Sequence, residues 1–86
     1  MNEMTLRGLL NYGSSDYVKQ DAQWLIIEVE VEGNKPEIII NPKDNFEAKL
    51  AYYKNAYNED LTLKANPKIK IVRYDFVEEI EQYFYY

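Results

Sequence analysis

The chain has 86 residues, with fifteen acids against ten bases, a net charge of -5, and neither histidine nor cysteine. That length supports one small domain over 1-86 with little stability to spare. The missing residue types exclude thiol nucleophiles, disulfides, zinc–thiolate ligation and histidine acid–base chemistry, and the negative balance argues against binding duplex nucleic acid.

Thr5 to Gly13 predicts a short helix, with Thr5 as N-cap, Gly13 as the residue just past its end, and Leu6, Leu9 and Leu10 on one face. Ser14 to Gln23 is polar and predicts a loop or an irregular helical turn anchored by Tyr17 and Val18. Trp24 to Ile40 predicts a β-hairpin. Leu25, Ile27, Val29 and Val31 alternate on one face, and Trp24, Ile26, Glu28, Glu30 and Glu32 fall on the other. A two-residue Gly33-Asn34 loop would pair Glu30 with Glu37, Val29 with Ile38 and Ile27 with Ile40. Pro36 has no N–H to donate, so strand 36-40 is expected at a sheet edge.

Asp44 and Glu47 have the spacing of a capping box, opening a helix over 45-58 whose stripe is Phe46, Leu50, Tyr53 and Tyr57. A loop with Leu61 and Leu63 as apolar tacks follows, with a turn at Asn66-Pro67. Lys68 to Tyr74 predicts the third strand, with Ile69 and Ile71 on one face and Val72 and Tyr74 on the other. A second capping box, Asp75 to Glu78, predicts a final helix placing Val77, Ile80 and Phe84 on one face. A right-handed crossover makes strands 36-40 and 68-74 parallel, and the edge position of Pro36 keeps them apart. The expected fold is α+β: a three-stranded sheet of order 2-1-3, one long helix across one face, and short terminal helices.

The enzymatic inventory is thin. The only glycines are Gly8, Gly13 and Gly33, and the only serines are Ser14 and Ser15. Paired carboxylates at Glu59-Asp60 or Glu78-Glu79 remain, and both also fit as loop and helix-start charges. The expectation is a non-enzyme without catalytic residues, metal or cofactor.

Surface chemistry is more informative. Glu28, Glu30 and Glu32 form an acidic row, with Glu37 placed opposite Glu30, and such a tip suits a partner protein with a basic surface. Tyr83, Tyr85 and Tyr86 would anchor that contact, or pair two copies as a homodimer, with Phe84 in the core. Lys64, Lys68, Lys70 and Arg73 form the basic cluster, and with Tyr74 as a stacking ring they make single-stranded nucleic acid the alternative partner. No apolar run has membrane-spanning length.

The segment Leu25-Ile26-Ile27-Glu28-Val29, followed by Gly33-Asn34, resembles the type II-A anti-CRISPR inhibitors of Cas9 from Listeria phage. The resemblance implies a small phage protein acting in the cytoplasm of a bacterial host. It also implies a compact α/β fold whose acidic side chains occupy the site where Cas9 reads its short DNA motif. In this chain a long helix separates the second and third strands, so no contact residue is carried over.

Overall fold

The computed structural model describes residues 4–84. In chain order it contains α1 (Leu6–Gly13), α2 (Asp16–Gln20), β1 (Trp24–Val31), β2 (Glu37–Pro42), a 3-10 turn (Lys43–Asn45), α3 (Phe46–Ala56), β3 (Thr62–Leu63), β4 (Asn66–Val77) and α4 (Glu81–Phe84). The sheet is antiparallel in the order β2-β1-β4-β3. It therefore has four strands rather than three. Leu61 adopts a left-handed backbone (φ 69°), and the Asp60 carboxylate accepts from the N–H and hydroxyl of Thr62. These turn the expected loop into a hairpin whose bend is Lys64-Ala65, not Asn66-Pro67.

The long helix covers the Leu25 face as expected. Leu25, Ile27, Ile71, Tyr74 and Phe76 from the sheet meet Leu6, Leu9, Val18, Phe46 and Tyr53 from the helices. Phe76 is the hub, with Tyr12 and Phe46 edge-on to its ring at centroid distances of 5.0 and 5.1 Å. Asp44 does not cap α3. Asn45 is the N-cap without a side-chain bond, because the Lys43 N–H is held by the Gln23 carbonyl at 2.9 Å and a 3-10 turn intervenes.

Three registers differ from the sequence reading. In the hairpin, Val29 faces Glu37, Ile27 faces Ile39 and Ile26 faces Ile40, a shift of one residue. The cause is the turn. Asn34 N–H donates to the Val31 carbonyl at 2.8 Å, and Gly33 takes the third turn position with φ 82°, where a positive angle is required. Ile38 and Ile40 therefore join the Trp24/Ile26 face. Pro36 still lies beside an edge strand. In β4, Glu28 faces Arg73 but Val29 faces Ile71, so Val72 is the extra residue of a β-bulge. The bulge puts Tyr74 on the same face as Ile71. Finally, Asp75-Phe76-Val77 extends β4 instead of opening a helix. Trp24 pairs with Val77, and Gln23 N–H donates to the Val77 carbonyl at 2.9 Å, so β1 supplies ladder partners to the end.

Helix α1 begins as predicted, with the Thr5 hydroxyl accepting from Gly8 N–H at 3.0 Å. Gly13 plays a different part from the one expected. It is the last helical residue and is buried, and a Cβ there would lie 2.5 Å from Leu50 Cδ1. Its bare backbone is what lets α1 approach α3. Replacing Gly13 with Ala should lower stability by about 1–2 kcal/mol, overpacking outweighing the gain in helix propensity. In a Leu50→Ala background that cost should vanish, measured by urea unfolding of the full double-mutant cycle.

Candidate functional site

The acidic and basic rows predicted as separate surfaces are neighbours on one sheet face. Register places Glu28 beside Arg73 and Glu30 beside Lys70, and the Glu32 N–H donates to the Lys68 carbonyl at 3.0 Å. Arg73 Nη1 lies 3.6 Å from Glu28 Oε2. Further out, Glu30, Glu32, Pro67, Lys68, Lys70 and Val72 line a shallow depression of about 220 Å³. The strand alternation behind this arrangement and the antiparallel place of β4 beside β1 were both legible; the residue-by-residue register decided which charges became neighbours. Glu37 leaves the row, since the one-residue shift puts it opposite Val29 on the other face.

Glu28 belongs to a clasp. Helix α4 lays Tyr83 over Ile26 and Val77, beside the half-buried Trp24. The Tyr83 hydroxyl donates to the Glu28 carboxylate, and the Arg73 guanidinium sits 4.1 Å above the Tyr83 ring. Burial, followed by the Glu28 carboxylate, raises the Tyr83 pKa well above 10.0. Two expectations are reversed here: Tyr83 is 2% exposed, and Phe84 is 44% exposed. A helix starting at Asp75 would have turned Phe84 inward. The single turn from Glu81, whose preceding Glu78 and Glu79 N–H groups donate to the Gln82 side chain, turns Tyr83 inward instead. Tyr85 and Tyr86 lie outside the described residues.

The nucleic-acid surface loses its ring. Tyr74 is 4% exposed and packs in the core, and Arg73 is engaged in the clasp, while Lys64, Lys68 and Lys70 remain exposed. The Glu59-Asp60 pair has local duties: Glu59 accepts from Arg7 N–H at 3.2 Å, and Thr62 holds the Asp60 carboxyl below its ordinary range. Among the described residues, no group of three or more carboxylates is arranged to hold a metal ion. A cleft of about 440 Å³ opens between the first two helices and the start of α3, floored by Gly13, Val18, Phe46 and Leu50, with Lys19, Lys43, Asp44 and Glu47 at its rim.

The surface that sequence reasoning missed is β2. Every residue from Val31 to Ile40 is exposed, and Ile38, Ile39 and Ile40 are 45%, 37% and 41% exposed. The signal was present in an isoleucine triplet beside an edge-marking proline. The supposed match with Val29 and Ile27 concealed it. No family model matches the chain, and no curated protein or solved structure matches it either.

The buried hydroxyls set an alkaline limit. Burial and then Asp75 raise the Tyr12 pKa, and burial and then Tyr57 push Tyr53 up to about 12. Unfolded tyrosines ionise near 10, whereas these stay protonated when folded, so their contribution is complete below that pH and shrinks above it. Urea unfolding should show stability falling beyond about pH 10. Tyr83→Phe should cost about 2 kcal/mol at neutral pH and make the alkaline fall less steep. A flat profile to about pH 11 would contradict the assignment.

Proposed function

We propose that this is a non-enzymatic binding protein that presents its β1–β2 hairpin to a partner protein with a basic surface. The observation that carries the reading is the unbroken exposed run from Val31 to Ile40. With Glu30 at its base, this arm bears Glu32 and Glu37 against Lys35, and apolar contact area from Val31 and the isoleucines. Exposed apolar residues within an acidic rim are the composition of a contact surface that steers a basic partner and then excludes water. Glu28 contributes to the clasp rather than to the contact.

The partner class follows from the hairpin's resemblance to phage anti-CRISPR proteins: a host nucleic-acid-handling protein, inhibited or modulated by an acidic mimic of a nucleic-acid backbone. The test is binding to a type II-A Cas9–guide complex, with competition by duplex DNA carrying its short motif. Wild type should bind and displace the DNA. Glu30→Gln/Glu32→Gln should weaken binding about tenfold at low salt and less at high salt, while Glu47→Gln on α3 should not. Absence of binding would remove this partner class. Unchanged binding by a folded Glu30→Gln/Glu32→Gln variant would remove the hairpin as the contact.

A further inference from the structure

Among the described residues the outer edge of β2 has no neighbouring strand, and its chemistry specifies which strand it would accept. Lys43 N–H bonds inward to the Gln23 carbonyl, in line with the ladder that pairs Leu25 with Asn41 and Ile27 with Ile39. By the alternation of an antiparallel ladder, residues 37, 39, 41 and 43 direct their polar groups to β1. The even positions then face outward. Pro36 and Pro42 occupy two of these and carry no N–H, so the outward donors are Ile38 and Ile40.

The stretch Glu37-Ile-Ile-Ile-Asn-Pro-Lys43 is complementary to itself about Ile40. Glu37 stands three residues before that centre and Lys43 three residues after it, while Ile38 and Pro42 stand two to either side. We propose that β2 pairs with β2 of a second copy, antiparallel about a two-fold axis at Ile40, joining two sheets into one. Ile40 then exchanges both its hydrogen bonds with its counterpart, and Ile38 N–H donates to the Pro42 carbonyl across the axis. On one face, Ile38, Ile40 and Pro42 meet their symmetry mates. On the other, Glu37 faces Lys43, twice. Centring the axis on Ile39 instead would set Lys35 against Lys43, so charge selects the register.

This pairing forms without a foreign partner, but it uses Glu37, Ile38 and Ile40, which the proposed contact also uses, so a second copy and a foreign partner compete for β2. A six-residue strand edge offers far less than the ~800 Å² per partner of a standard interface, so association is weak, with a dissociation constant of roughly tens of micromolar. Sedimentation equilibrium of the full chain from about 5 to 500 µM should show a monomer–dimer equilibrium. Glu37→Lys and Lys43→Glu should each weaken the dimer about tenfold, and the charge-swapped Glu37→Lys/Lys43→Glu double variant should restore it. A monomer throughout overturns the proposal and leaves the edge to a strand of another protein. A dimer indifferent to both single reversals, or single losses that the swap does not repair, also overturns it.

Discussion

Strand β1 must be covered on both faces, and the rest of the architecture answers that requirement. Leu25, Ile26 and Ile27 are consecutive and each is 0% exposed, so their alternating side chains demand two apolar layers rather than one. Helices α1 and α3 supply the first layer through Leu9, Phe46 and Tyr53. The second is much smaller, with Val77, Tyr83 and Trp24 closing over Ile26. Each of those rings and aliphatic chains contributes on the order of 1.5–3 kcal/mol by burial. The short C-terminal turn is therefore a structural layer in its own right.

That second layer has a polar fastener, which changes the meaning of the acidic row. A hydroxyl buried against Ile26 needs an acceptor, and Glu28 is within reach two residues along β1. Arg73, across the ladder, balances the carboxylate and covers the ring that donates to it. One member of the acidic row is thus committed to holding the fold. Glu30 and Glu32 lie beyond the fastener, where lysines of β4 line the same depression. The surface has alternating signs across strands rather than a single-signed field, which favours orientation of a partner over bulk attraction.

Local chemistry and the strand order β2-β1-β4 were legible from the chain; the residue-level register was not. The Thr5 cap, the α3 stripe, the edge position of β2 and the antiparallel placement of β4 beside β1 all rest on one residue's backbone limits or one helix's periodicity. The misreadings each required a partner strand to be known. Gly33 supports either a two-residue loop at 33-34 or a three-residue loop at 32-34, and only the second slides Glu37 to the other face. Nothing in Ile71-Val72-Arg73 announces that Val72 is surplus to the ladder, yet that surplus turns Tyr74 into the core. Asp75 to Glu78 has helix-start chemistry, but the ladder offered by β1 is the stronger claim on those backbone groups. Tyr83 and Phe84 exchanged roles because the phase of a single helical turn follows from where the strand before it ends.

An isoleucine triplet on a sheet rim is ordinarily an amyloid hazard, since a long flat edge templates strand after strand. This fold carries the triplet without that template. Pro36 and Pro42 interrupt the row of donors at either side of it, and the opposite rim of the sheet, β3, is only two residues long. The β2 rim therefore lacks the repeated, unbroken backbone that fibril growth copies. The protein can thus keep a sticky strand in water while the geometry of that edge confines what sticks to it.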